Sequence, residues 1–550
     1  MPRTRHAHRR RPRVVSSRSH GAVPVPPGRD RLAVSVLLVV AVVVTACTPG
    51  GEDGEGAAAG GGPTDVAATD MEPGFVADAD CFGFGPATAE QIECGTVEVP
   101  LAHDAPAEGT IELAVVVDRP ADTGGAEAPL LMLGGGPGVV KVERYLTTAE
   151  LRQVFGAPER TTIVIDQRGV GSSDPALECP ELDELTFQVF AAGEIDAALD
   201  ATGACRDRLA GQGVDLDAYN HLANARDVEM VRRALGHDQL NLRGLSYGTQ
   251  VALLAAEMFP ESVRSVVLSS PVDPQVNWVE DLAVGYAQAL DGLATACDAD
   301  AACADQVGDL RSAIEETVER LDAESEQVTV PSRNGETATR TYTPSRFLDD
   351  LFNFFYQAQG AEWLPAVVDR AHEGDLAPLA NIVTALEQQR AGSFSMGMSN
   401  SMGCTGEAAL VDAERALADV DDELIAEHWY PHIRLGGPVG EFCDRWDVEQ
   451  IYDPSEISLD AEVPTLVVTG ELDHVSLPQY GQQIHDALPI SYLIEVPHAV
   501  HEPLESLVQT GPCGQNIVTD FLDDPDTAPD ADCAADFTLQ FGNPLPARFG

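Results

Sequence analysis

Lysine is nearly missing from this sequence. Lys141 is the single one in 550 residues. It does not stand in a Gly-Lys-Ser/Thr setting, so a P-loop nucleotide site is excluded, and Schiff-base chemistry is left with one candidate. His-Glu-x-x-His and Cys-x-x-Cys are also missing, which removes the familiar zinc-hydrolase and zinc-finger patterns. Positive charge as a whole is scarce: 33 Lys+Arg stand against 89 Asp+Glu, a formal net charge of −56. A surface that acidic argues against nucleic acid as a partner and against charge-driven docking on anionic membranes. No apolar run reaches the ~20 residues of a membrane-spanning helix.

The longest such run, residues 32–46, follows nine arginines and one acid in the first 31 residues. A basic start, a short apolar core and small residues before a cut describe an export signal. Val44-Thr45-Ala46-Cys47 resembles a lipobox, in which Cys47 would carry a lipid and become the mature N-terminus. An ordinary signal peptide with a chance cysteine is the alternative. Removing residues 1–46 would make the chain more acidic still. Residues 47–75 are rich in Gly, Ala and acids and read as a flexible tether.

Eleven cysteines less Cys47 leave an even number, which fits an oxidising compartment. Nearest-neighbour pairing would join Cys81–Cys94, Cys179–Cys205, Cys297–Cys303, Cys404–Cys443 and Cys513–Cys533. Sequence alone leaves that connectivity open.

At 44% hydrophobic and 22% charged residues the chain is globular. Short β-branched runs lie at 111–117, 129–133, 161–165, 240–242, 263–268, 465–468 and 491–495. Near-continuous apolar strands of this kind suit a parallel sheet covered on both faces. Helical patterns at 224–235 and 247–258 lie between them, so a doubly wound α/β domain is expected. The alternation breaks between Pro271 and Val463. Helical patterns at 278–296, 307–323, 344–356, 363–371 and 376–389 fill that stretch, with 328–343 strand-like or looped. The expected division is a core over 76–275 and 461–550, with an inserted, mainly helical cap over 276–460.

Gly244-Leu245-Ser246-Tyr247-Gly248 fits Gly-x-Ser-x-Gly between a strand and a helix. In that context a sharp turn lifts the serine hydroxyl off the sheet edge. The Tyr247 amide, at the helix N-terminus, then faces a developing oxyanion. A serine nucleophile needs a base, and the base an orienting acid. Two acids follow the strand at 465–468, Glu471 and Asp473; the Gly-x-x-Asp spacing favours Asp473. Two histidines follow the strand at 491–495, His498 and His501; Pro-x-x-x-His favours His501. His498 and His501 read as a metal-binding pair would lack a third ligand nearby, so no metal and no cofactor is expected. Gly134-Gly135-Gly136-Pro137-Gly138 follows an early strand and can present a backbone N–H to substrate. Gly136 is the first choice for that second oxyanion donor and Gly135 the next. A phosphate-binding loop is disfavoured, because Pro137 removes a donor and no basic residue stands within two positions.

These segments carry a family resemblance. Gly135-Gly136-Pro137-Gly138, Asp166-Gln167-Arg168-Gly169-Val170-Gly171-Ser172-Ser173 and Gly244-Leu245-Ser246-Tyr247-Gly248-Thr249 resemble the proline iminopeptidase and tripeptidyl aminopeptidase branch of the α/β-hydrolases. Cys443-Asp444-Arg445-Trp446 and the paired-cysteine tail are similar to secreted, lipoprotein-type members. The resemblance runs from about Cys81 to Cys533. Where many relatives have His or Asn-Pro before the Gly-Gly-Pro-Gly, this chain has Leu133-Gly134. The resemblance implies the α/β-hydrolase fold and an exported serine exopeptidase acting on peptides with free N-termini, with Ser246, Asp473 and His501 as the triad. It also implies a cap acid near the serine for the substrate ammonium. Glu407, in Cys404-Thr405-Gly406-Glu407, is the candidate, with one residue more than the usual Cys-x-Glu. A solvated acid is the plain alternative. Two other functions compete: a lipid-anchored carboxylesterase with the same triad, and a tethered binding protein without catalysis.

Overall fold

The computed structural model describes residues 71–85, 91–120, 128–148, 160–183, 195–331, 337–390, 392–418, 420–429 and 439–546. The export segment, Cys47 and most of the expected tether lie outside them.

Among the described residues eleven strands occur in chain order: β1 (Phe75–Ala77), β2 (Ile92–Pro100), β3 (Thr110–Asp118), β4 (Leu130–Leu133), β5 (Thr162–Ile165), β6 (Leu240–Leu245), β7 (Val263–Ser269), β8 (Glu326–Pro331), β9 (Thr337–Tyr342), β10 (Thr465–Gly470) and β11 (Ser491–Val496). Nine of them form one sheet in the order β1-β2-β3-β5-β4-β6-β7-β10-β11. Pairing is parallel from β5 through β11 and antiparallel among β1, β2, β3 and β5. Every residue of β4, β6 and β10 is buried. Helices cover both faces of such strands, so their apolar runs need not alternate. The sheet therefore has the mostly parallel α/β-hydrolase architecture expected from the sequence.

Of the antiparallel edge only β3 was legible, as the run at 111–117, and it pairs antiparallel with β2 and β5 rather than parallel. β2 contains two glutamates and ends on Pro100, yet nine of its residues pair in register with β3. Polar residues are tolerated there because the outer part of an antiparallel sheet can face water.

Between β7 and β10 the chain is mainly helical, with β8 and β9 forming a separate antiparallel hairpin. The helical pattern at 307–323 is broken in two: Gly308 takes φ 72°, and the Asp309 side chain caps Leu310–Ala323 by accepting from the Ser312 N–H. A glycine with positive φ followed by an aspartate cap is a stop and a start in succession. The pattern at 344–356 likewise ends its α-helix at Phe352 and finishes in the tighter turn Asn353–Tyr356. An apolar cluster joins Tyr286, Phe352, Phe355 and Trp429 with Leu472 and Val500, which follow β10 and β11. Phe352 stacks on Trp429 with ring centroids 5.1 Å apart.

Disulfides join Cys81–Cys94, Cys179–Cys205, Cys297–Cys303, Cys404–Cys443 and Cys513–Cys533. Cys404–Cys443 ties helix Met396–Thr405 to helix Val439–Trp446.

Candidate active site

Three parallel strands deliver Ser246, Asp473 and His501 to one edge of the sheet. Ser246 follows β6, Asp473 follows β10 and His501 follows β11, all at the carboxyl ends where open α/β sheets hold their ligands.

Ser246 stands at φ 54° and ψ −128°, a backbone conformation that side chains rarely adopt, directly before helix Tyr247–Met258. Two close approaches enforce this turn. A Cβ on Gly244 would lie 2.5 Å from the Gly248 carbonyl oxygen, and a Cβ on Gly248 would lie 2.5 Å from that of Leu133. The Ser246 N–H donates to the Ser269 carbonyl at 3.0 Å, which ties the turn to β7.

Asp473 and His501 are both buried, and His501 Nδ1 lies 2.9 and 3.0 Å from the two Asp473 carboxylate oxygens. That contact assigns the proton to Nδ1 and leaves Nε2 as the basic nitrogen. Asp473 Oδ1 also accepts from the N–H groups of Val475 and Ser476. Burial by itself pulls the His501 pKa down. The Asp473 carboxylate, with smaller help from Glu502 and Glu505, outweighs it and raises the imidazole above its usual value. Among the described residues, neither the Ser246 hydroxyl nor His501 Nε2 is engaged in a hydrogen bond. The other two candidates meet each other instead: Glu471 accepts the His498 backbone N–H at 2.7 Å.

The glycine loop after β4 lies against the serine. A Cβ on Gly135 would come within 3.1 Å of the Ser246 Cβ. Gly136 has φ 114°, and the Phe394 ring lies 3.2 Å from where its Cβ would be. Phe394 belongs to the segment between β7 and β10. Its neighbours clasp the loop through Val140 N–H to Ser393 O at 3.1 Å and Ser395 N–H to Gly138 O at 2.8 Å.

Residues 128–506 match the alpha/beta hydrolase fold family, a span that contains all three residues of the Ser–Asp–His set. The chain belongs to this family. It is 25% identical to serine protease Hip1 of Mycobacterium tuberculosis over 426 residues, covering 73% of this chain and 80% of that one. It is 29% identical to the tripeptidyl aminopeptidase of Streptomyces lividans over 197 residues, 33% of this chain and 36% of the relative. Carboxylesterase B of Mycobacterium tuberculosis is 31% identical over 227 residues, 38% and 42% of the two chains.

In this α/β hydrolase Glu407 is almost fully buried beside the serine-bearing helix. Its Oε1 accepts from Gln250 Nε2 at 2.8 Å, one turn beyond Ser246, and its Oε2 lies 3.2 Å from His221 Nε2. Burial works to raise the Glu407 pKa, but His221 and Gln250 win and hold it below the usual carboxylate value. His221 stacks on Tyr452 and meets Tyr247 edge-on. Arg168, from the Asp-Gln-Arg-Gly segment, is fully buried and donates from Nε and Nη2 to Asp227 at 2.8 and 2.7 Å. It also donates to the carbonyls of Leu101 and Ala218, so it ties the end of β2 to the turn Leu216–Ala218 and to helix His221–Ala234.

Sequence reasoning missed the groups that the segment between β7 and β10 brings to the site: Phe355, Tyr356 and Phe394. No local motif marks them, because the turn Asn353–Tyr356 and the bridge of Phe394 to Val139 both come from far away in the chain.

Proposed function

We propose that this α/β hydrolase is an exported serine exopeptidase that releases one or a few residues from the free N-termini of peptides. The observation that carries the reading is the double contact of His501 Nδ1 with Asp473 on the sheet edge that also bears Ser246. Similarity to serine protease Hip1 over most of both chains, and to a tripeptidyl aminopeptidase over a third, supports peptides as substrates.

In this mechanism Ser246 Oγ attacks the scissile carbonyl while His501 Nε2 takes its proton. Asp473 holds the imidazole tautomer and stabilises the imidazolium. The N–H groups of Tyr247 and Gly136 receive the oxyanion. His501 then protonates the leaving amine, and water repeats the cycle on the acyl-enzyme. No step calls for a cofactor. Residues 276–460 serve as a cap over this edge, set on a core of 76–275 and 461–550. Glu407 takes the substrate ammonium, which requires the ammonium to replace Gln250 or His221 at the carboxylate. A lipid on Cys47 anchors the protein outside the cell, so Cys47→Ser should move it from the membrane fraction to the medium; full membrane retention would overturn the anchor.

The test is turnover of tripeptidyl- and aminoacyl-nitroanilides beside short acyl nitrophenyl esters. Cleavage of free-amine peptides but not N-acetylated ones is the expected result, lost in Ser246→Ala. The similarity to carboxylesterase B favours one rival, and ester turnover far above peptide turnover would decide for it. No turnover of either class would leave a binding protein.

A further inference from the structure

Behind the serine and the histidine lies a buried ion pair that the reaction as derived does not use. Arg243 is on β6, three residues before Ser246, and is 3% exposed. Glu505 is in the first turn of helix Pro503–Thr510, four residues after His501, and is 1% exposed. Arg243 Nη2 donates to Glu505 Oε1 at 2.8 Å. The Ser269 hydroxyl donates to Glu505 Oε2 at 2.9 Å, and the Ser269 carbonyl accepts the Ser246 N–H at 3.0 Å. One residue on, the Ser270 hydroxyl accepts the Glu502 N–H at 3.0 Å. The end of β7 thus links the serine turn on one side to the histidine helix on the other.

Burying two charges is costly, and an apolar pair of equal volume is often as stable. Stability alone is therefore a weak reason for this pair. We propose that Arg243 and Glu505 are positioning residues: through Ser269 they fix the Ser246 turn relative to the helix that begins after His501. This rests on the serine-hydrolase reading above. The charged groups around His501 come from several elements. Asp473, Glu502 and Glu505 favour its protonated form. Lys141 and Arg144, from the stretch after the glycine loop, act on Glu502, Arg243 pairs with Glu505, and the rings of Tyr356 and His474 face His501 edge-on.

Steady-state kinetics with pH profiles test the proposal, on whichever nitrophenyl ester or peptide nitroanilide the parent enzyme turns over. Glu505→Gln keeps the shape and removes the charge. The kcat is expected to fall roughly 10- to 100-fold with KM within about twofold, the scale of a small misplacement at a reacting centre. The acid limb of kcat/KM moves to lower pH, because one carboxylate favouring protonated His501 is gone. Glu505→Asp retains the charge and keeps the limb at the parent's pH. A parental kcat with an unmoved limb in Glu505→Gln overturns the proposal. If Glu505→Gln does not fold, Arg243→Lys decides: low kcat at the parent's KM supports it, and parental kcat overturns it. Glu387→Gln, which strips the carboxylate from the Arg340 pair elsewhere, is the structural control and should lower Tm without moving the limb. Turnover surviving in Ser246→Ala would instead mean that the serine reading had failed.

Discussion

The backbone N–H of His501 donates to the carbonyl of Phe355 at 3.1 Å. The histidine is thereby held from two directions, by Asp473 through its ring and by the turn Asn353–Tyr356 through its backbone. The Tyr356 ring stands edge-on to the imidazole, with centroids 5.4 Å apart. A base fixed in this way pays little ordering entropy when substrate arrives.

That arrangement separates the two histidines. His501→Ala and Ser246→Ala should each abolish turnover with the fold intact, and Asp473→Asn should cost about 10⁴ in kcat. His498→Ala should keep most activity, since His498 meets Glu471 through its backbone N–H, which the substitution leaves in place. Circular dichroism beside steady-state rates checks this; an inactive His498→Ala with an active His501→Ala would reverse the assignment.

The pH dependence has a definite sign. His501 must be neutral to accept the serine proton, and its pKa is raised above the ordinary 6.5. The acid limb of kcat/KM should therefore lie above 6.5, with activity lost as pH falls through it. Stability should respond the other way. A raised histidine stabilises the fold fully below its unfolded pKa, and that contribution is lost as pH rises through the folded value. Rate profiles and Tm measured across the same pH range would expose a mismatch in either direction.

Close packing under the serine turn gives a stability prediction. In Gly248→Ala the new methyl would meet the carbonyl oxygens of Leu133 and Gly134 at 2.5 and 2.8 Å. A loss of about 1–3 kcal/mol is expected, the usual scale of overpacking. Gly203, inside helix Ile195–Gly211 with open space around it, should behave oppositely. Gly203→Ala should stabilise by roughly 0.5–1 kcal/mol. Denaturant melts of the two variants provide the comparison.

Glu407→Gln tests ammonium recognition. If the carboxylate takes the substrate amine, cleavage of free-amine peptides should weaken by about 1.5–3 kcal/mol, the range for a hydrogen bond to a charged group. Hydrolysis of a simple acyl ester should hardly change. Equal losses on both substrates would make Glu407 a support for the serine-bearing helix through Gln250 and His221.

The 89 acids against 33 basic residues should make the protein salt-responsive. Added salt screens repulsion between like charges at the surface. Tm should rise with salt, and a steady fall up to molar concentration would contradict this.

Much of this protein was determined by its sequence alone. The buried parallel strands, the Gly-x-Ser-x-Gly turn and the order of serine, acid and histidine follow from local patterns, since side-chain periodicity and turn chemistry act over a few residues. Other features belong to the tertiary structure. Spacing favours Asp473 over Glu471 and His501 over His498, but it does not say what each side chain meets. Where β10 and β11 end, and how their loops turn, sends Asp473 to His501 and Glu471 to the His498 backbone. The contacts of Phe355 with His501 and of Phe394 with the glycine loop depend on how the segment between β7 and β10 returns to the loops after β4 and β11. Arg243 and Glu505 lie 262 positions apart, and only the parallel crossovers that set β6, β7, β10 and β11 side by side bring them together. A sequence pattern reports what a residue's near neighbours allow, whereas a buried ion pair is decided by which distant strands share an edge.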